Sequence, residues 1–238
     1  MFVIELAGIN ILIDNKYEYA EKLCRNYISK KEPDFKVKVT EAEIAKESLA
    51  SDLDNSEGKY NGYLESICIY RQIAVKLPEY DAFLMHAAVV ETDGYAYAFA
   101  AKSGTGKTTH IRMWHRLLGD RMNVINGDKP IMRFFGGELY ACGTPWSGKE
   151  MMNNNTKAPL KGICFIYRAQ NNTISKINVK EAIERIANQI IIPKNPYAAS
   201  MTLELISKTL INTPVWSLGC NISVDAARVS YEAMVKGK

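Results

Sequence analysis

The chain has 238 residues, 47% of them hydrophobic, and a formal net charge of +4. That length can bury one substantial core, and no apolar run approaches the roughly 20 residues that a membrane-spanning helix needs. The mild charge, without a basic block, calls for no nucleic-acid or membrane partner but suits a polyanionic ligand.

In chain order, residues 3–6 and 9–13 on either side of Gly8 read as extended. Residues 16–28 place Tyr17, Ala20, Leu23, Cys24 and Tyr27 at helical spacing. Residues 35–39 alternate like a half-buried strand. Residues 41–60 are acidic, with 51–59 reading as an exposed loop. A helix over 63–77 stops at Pro78. Residues 83–91 read as one apolar strand and 95–100 as a second, joined by Asp93-Gly94 in a hairpin.

A Gly-rich loop follows, then a helix over 107–118 and strands over 122–126, 130–135 and 138–142. Residues 160–168 and 174–179 are expected to pair around Gln170-Asn171-Asn172. Helices over 180–191 and 199–210, a strand over 215–218 and a helix over 224–235 complete the chain. Cys24, Cys68, Cys142, Cys164 and Cys220 are odd in number and scattered without a CxxC pair. They read as reduced core thiols, not as a disulfide framework or zinc site. The opening Met1-Phe-Val-Ile-Glu lacks the features of a signal peptide, so a cytoplasmic location is expected. The fold class is α/β, a mixed sheet flanked by helices. An N-terminal α+β portion, residues 1–80, packs on a core of residues 81–238.

Ala101-Lys-Ser-Gly-Thr-Gly-Lys-Thr fits the phosphate-loop pattern with Ala in place of the first Gly. Its position after an apolar strand and before an amphipathic helix is what the mechanism requires. Gly104 and Gly106 let successive backbone N–H groups turn toward an anion, and the helix aims its positive end at the same spot. Ser103, Gly104, Thr105, Gly106, Lys107, Thr108 and Thr109 are therefore the expected nucleotide contacts. Lys107 supplies charge for the β- and γ-phosphates, and Thr108 can ligate Mg²⁺. Asp128, after the strand over 122–126, is the second expected Mg²⁺ ligand.

Phe99-Ala-Ala-Lys-Ser-Gly-Thr-Gly-Lys-Thr-Thr-His resembles the phosphate loop of HPr kinase/phosphorylase and of ATP-dependent phosphoenolpyruvate carboxykinase. Leu84-Met-His-Ala-Ala-Val-Val resembles the HPr kinase segment that brings a histidine, here His86, near the reacting phosphate. Val124-Ile-Asn-Gly-Asp-Lys-Pro-Ile resembles the strand that carries an acidic pair in both families. Gly143-Thr-Pro-Trp-Ser-Gly-Lys and Ala158-Pro-Leu-Lys-Gly look like a subgroup of bacterial HPr kinase-like proteins, some linked to peptide modification. The likeness covers residues 80–235.

It implies an HPr kinase/carboxykinase-like fold and a kinase using ATP and Mg²⁺ to phosphorylate a hydroxyl, on a serine of a small protein or peptide. A small-molecule acceptor follows closely. HPr kinase is a hexamer, which leaves room for a homo-oligomer. The chain departs from the family at Gly127, which stands where the family has its first, base-forming aspartate. Asp128 matches the second, metal-binding one. Asp128 or His86 is then left to assist the acceptor, and Asp128, His86 and Lys107 are the expected catalytic set.

Lys129, Lys149, Lys157 and Lys161 are candidates to neutralise phosphate. Lys149 leads, because Trp146-Ser-Gly-Lys-Glu sits in a Gly/Pro loop that could cover an acceptor. Lys129, Trp146 and Lys149 are the expected acceptor contacts, while His110 and His115 read as structural or exposed. Two other readings stand beside the kinase. A carboxykinase-type enzyme would need a longer chain and a second metal site. A nucleotide-binding regulator without transfer chemistry is kept open by Gly127 in place of an aspartate. The acceptor and the choice of ATP over GTP are not set by these residues.

Overall fold

The computed structural model describes residues 1–237. Lys238, the last residue of the predicted core, lies outside the described residues.

Strict alternation builds the first layer. β1 (Phe2–Leu6) and β2 (Ile9–Asp14) form an antiparallel hairpin. Phe2, Ile4 and Leu6 face inward from one strand, and Ile9, Ile11 and Ile13 from the other. Ala7 and Gly8 turn the chain with φ of 51° and 78°. β3 (Phe35–Lys38) adds to β2 in parallel.

The helix expected over 16–28 is shorter, α1 (Glu18–Leu23) followed by a 3₁₀ turn. The first part of the acidic stretch, for which the sequence suggested no element, is helical, α2 (Glu41–Ala50), and the expected loop follows it. Its start is set by a capping box: the Thr40 hydroxyl accepts from Glu43 N–H while the Glu43 carboxylate accepts from Thr40 N–H. α3 (Asn61–Lys76) agrees closely with expectation. Its Glu65 is fully buried, and its carboxylate accepts from Lys16 N–H at 2.7 Å and Tyr17 N–H at 3.1 Å. A carboxylate at that point caps the start of α1.

The main sheet follows. β4 (Ala82–Leu84), β5 (Ala87–Thr92) and β6 (Tyr95–Ala100) precede α4 (Lys107–Leu118). β7 (Met122–Asn126), β8 (Ile131–Phe135), β9 (Glu138–Cys142) and β10 (Lys157–Arg168) come next. β11 (Thr173–Lys176), α5 (Val179–Ala187), α6 (Pro196–Asn212), β12 (Val215–Cys220) and α7 (Val224–Met234) end the chain. The strand order is β4-β8-β9-β10-β6-β5-β7, with β12 also on β10 and β11 on β12.

Two expectations are corrected here. The strand expected over 83–91 is two, because the chain changes partners at His86. β4 pairs with β8, whereas β5 pairs with β6 and β7. At the break, His86 N–H donates to the Gln189 carbonyl at 2.7 Å and Ala87 N–H to the Asp128 carbonyl at 3.1 Å. The pair expected between β10 and β11 does not form. β12 returns through α5 and α6 to lie parallel to β10, and β11 pairs with β12.

Both faces of the sheet are covered, so β6 is buried throughout after Tyr95. Ala96, Ala98 and Ala100 face the layer that includes Ala182, Ile186 and Ile206 from α5 and α6. Tyr97 and Phe99 face Trp114 of α4 and Tyr231 of α7. The N-terminal layer shares one apolar core with Ala82, Leu84, Ile131, Cys142 and Trp146. All five cysteines are buried and unpaired. Among the described residues, no helix is long and apolar enough to cross a membrane.

The buried Glu65 yields a stability test. Glu65→Ala leaves two backbone donors without their carboxylate, and urea unfolding should show a loss of about 1–3 kcal/mol. A loss below about 0.5 kcal/mol would mean that solvent replaces the carboxylate at no cost.

Candidate functional site

β6 delivers the chain into the loop 101–106, and α4 begins at Lys107. Gly104 and Gly106 hold φ of 74° and 127°, in the range that side chains avoid. A Cβ at either would meet no atom within 4 Å, so the demand is conformational and the space over the loop is open. The loop is also gripped from behind. Arg168, the last residue of β10, donates from Nη2 to the Gly104 carbonyl at 2.6 Å and from Nε to the Thr105 carbonyl at 3.2 Å. Because each peptide unit is trans, tying back these two carbonyls turns the N–H groups of Thr105 and Gly106 the other way. Sequence reading did not single out Arg168. Its signal is a lone basic residue closing an apolar strand, and ligands gather at the carboxyl ends of parallel strands.

Lys107 is only 8% exposed. Its ammonium donates to the Ala101 carbonyl at 3.2 Å and lies 2.9 Å from His86 Nε2. The same Nε2 lies 3.0 Å from Asp128 Oδ1, and Asp128 Oδ2 lies 3.2 Å from Lys129 Nζ. Four expected residues, Lys107, His86, Asp128 and Lys129, thus form one continuous line beside the loop. Nε2 can accept from Lys107 or donate to Asp128, but one nitrogen with one lone pair or one hydrogen cannot do both. Burial holds the Lys107 pKa below the usual lysine range, with Lys129 pushing the same way and Asp128 opposing. Burial alone would raise the pKa of Asp128, but the His86 hydrogen bond and the Lys129 charge outweigh it and hold the carboxyl below its ordinary value.

The Asp128 turn is set by Asn126, which is fully buried. Its Oδ1 accepts from Asp128 N–H at 2.8 Å and Lys129 N–H at 2.7 Å, and its Nδ2 donates to the Thr144 carbonyl at 2.9 Å. Asn126 therefore positions Asp128, a role that the sequence did not single out.

Gly127 has a physical explanation. A Cβ there would sit 2.8 Å from the Ser147 carbonyl oxygen and 3.4 Å from that of Met152. Gly127 N–H donates to the Met152 carbonyl at 2.8 Å. The segment between β9 and β10 is laid across this position, so no side chain fits. Gly143 is tighter still, since a Cβ there would overlap the Asn154 carbonyl.

That segment is a docked strap. Trp146 does not face an open site: its ring is buried beside Tyr70 and its Nε1 donates to the Ser66 carbonyl at 3.0 Å. The apolar ring is drawn into the N-terminal core, which corrects its expected role as an acceptor contact. Lys149 is exposed, next to Gly148, which approaches the Asp128 side chain. Lys157 lies over the Phe135 ring and Lys161 near Glu138, so neither joins the cluster. His110 is buried against Ser230 and Trp114, with its pKa pushed down to about 4 by burial, and His115 is exposed.

No family model matches the chain, and no curated protein matches it. Among solved structures, it is similar to the Hpr(Ser) kinase/phosphatase from Coxiella burnetii. The identity is 9%, over 54% of this chain and 90% of that one, with a TM-score of 0.30.

The packing at Gly127 predicts the outcome of restoring the acidic pair. Gly127→Asp should lower the unfolding free energy by about 1–3 kcal/mol through backbone overlap, with no gain in any activity. A variant as stable as the parent and more active would contradict this account.

Proposed function

We propose that the protein is a kinase that moves the γ-phosphate of ATP to a hydroxyl, with Mg²⁺ as metal. A serine of a small protein or peptide is the favoured acceptor, followed by a small-molecule hydroxyl. The carrying observation is the line of Lys107, His86 and Asp128 beside an open glycine loop at the start of α4. Phosphoryl transfer asks a protein for positioned positive charge, a metal-binding carboxylate and a place for one proton. These residues can supply all three.

The residues also fit the ligands. Among the described residues, no group of three or more His, Cys, Asp or Glu could hold a metal by itself. Mg²⁺ is commonly held by one or two protein oxygens together with substrate phosphates. Thr108 and Asp128 would be those protein ligands, and the depressed pKa of Asp128 keeps it ionised for the purpose. When bound, the metal would neutralise charge on the β- and γ-phosphates.

Lys107, once its ammonium turns to phosphate, would leave His86 Nε2 free. In the transfer the hydroxyl oxygen bonds to the γ-phosphorus and the bond from that phosphorus to the bridging oxygen breaks. The hydroxyl proton goes to Nε2, whose N–H then donates to Asp128. The Gly106 amide, turned outward by Arg168, would line the phosphates, while the Thr105 N–H is held inside the loop by the Lys102 carbonyl at 3.2 Å. A regulator that binds nucleotide without transfer is the second reading, favoured by the exclusion of a carboxylate at 127.

The test is transfer from γ-labelled ATP with Mg²⁺ to a bacterial extract of peptides and small molecules. Label should appear on a discrete acceptor and fall at least about 100-fold in both Lys107→Met and Asp128→Asn. Lys107 has a folded pKa below its unfolded one, so its charge costs stability at neutral pH, and the cost lifts as pH rises through the folded value. Lys107→Met should therefore melt higher than the parent while losing activity. Tight ATP binding with no label on any acceptor would favour the regulator.

A further inference from the structure

Two cavities flank the glycine loop, and their linings differ in kind. The one on the α4 side, roughly 490 Å³, is lined by Met113, Ile166, Tyr167, Cys220 and Ile222 among others. Arg168, turned to the loop carbonyls, is its only lysine, arginine or acidic residue, and His110 there is held neutral by burial. Such a lining suits a flat, uncharged group.

The cavity on the α5 side is roughly 950 Å³ and includes Lys102, Arg168, Arg185, Asn188 and Gln189, with no carboxylate in its lining. Arg185 is held in place rather than free. Its Nη1 donates to Ser217 Oγ at 3.0 Å, its Nη2 lies 2.7 Å from Glu181 Oε1, and its guanidinium lies 5.6 Å from the Phe165 ring centre. Glu181, the acidic partner in this set, stands outside the lining. A guanidinium has five donors in a rigid fork, so these bonds leave others for a ligand.

Two details tie this cavity to the chemistry. The Gln189 carbonyl accepts from His86 N–H, so the floor at the end of α5 is stitched to the proposed proton acceptor. Gln189 Oε1 is shielded from solvent and accepts no hydrogen bond. A buried oxygen without a donor is costly, and a ligand hydroxyl or N–H would satisfy it.

We propose that the α5-side cavity is the acceptor site and that it selects a hydroxyl compound carrying an anionic group, carboxylate or phosphate, anchored by Arg185. This rests on the kinase reading for the word acceptor; the anion site stands on its own geometry. A cleft lined by one sign of charge concentrates ligands of the other, and a forked guanidinium matches both oxyanions.

The test is calorimetric titration of the full chain with four probes, with and without the Mg²⁺ complex of a non-hydrolysable ATP analogue. The probes are the peptides Glu-Glu-Ser-Glu-Glu and Gln-Gln-Ser-Gln-Gln, and glycerol 3-phosphate and glycerol. At least one acidic probe should bind about tenfold or more tighter than its neutral counterpart; which one does so separates a peptide source from a small molecule.

Arg185→Gln should weaken that binding about tenfold, Arg185→Lys should restore part of it, and nucleotide affinity should not change. Asn188→Glu, at an exposed rim position, should weaken it without touching Arg185. Equal binding of acidic and neutral probes, no binding of either acidic probe, or indifference to these variants overturns the proposal. Acidic-probe binding without any nucleotide binding would sink the kinase reading and leave the anion site standing. The reverse would sink this inference alone.

Discussion

An ammonium group kept out of water must be answered by its surroundings, and much of this structure is the answer for Lys107. Its helix position follows from the loop, but its Nζ is met by three separate segments: the Ala101 carbonyl, the His86 ring and, through that ring, Asp128. Each segment bears a local irregularity that makes sense only together with the others. The strand breaks at His86 so that its ring can turn inward, and the chain turns on Asn126 so that Asp128 can reach that ring. The compensation is incomplete, since burial still depresses the lysine's pKa. A site that holds a charge at some cost to stability is poised to give it to a ligand of higher charge.

The strap between β9 and β10 shows the opposite economy, apolar anchoring in the service of a polar site. Trp146 is drawn into the N-terminal core and tied to Ser66, and Thr144 is tied to Asn126 and the Lys129 carbonyl. The strap thereby fills the space over Gly127 and links residues 1–80 to the turn that bears Asp128. Tyr27, whose hydroxyl donates to Asn153 Oδ1, adds a second tie. The N-terminal layer thus braces the candidate site without placing a side chain in the line of charges.

What could be read in the sequence was what neighbouring residues decide. The glycine loop, the helix after it and the Asp93-Gly94 hairpin are local, as is the 3.6-residue spacing of α3. α2 was also legible through Thr40 and Glu43, but Ile44 is its single buried residue, so periodicity gave no signal. The rest depends on partners far along the chain. The break at His86 needs Gln189 and Asp128, the place of β11 needs the return of β12, and the burial of Trp146 needs α3. Arg168 looks ordinary in sequence, because its work is done through backbone atoms of a distant segment, and Asn126 holds its own turn while its amide nitrogen reaches Thr144.

The most direct check of the central claim is the affinity of the full chain for ATP, ADP and AMP with Mg²⁺, measured by calorimetry. If the loop amides and Lys107 hold the β- and γ-phosphates, affinity should depend on those groups, with AMP at least about 100-fold weaker than ATP. AMP binding as tightly as ATP, or no nucleotide binding at all, would contradict the account.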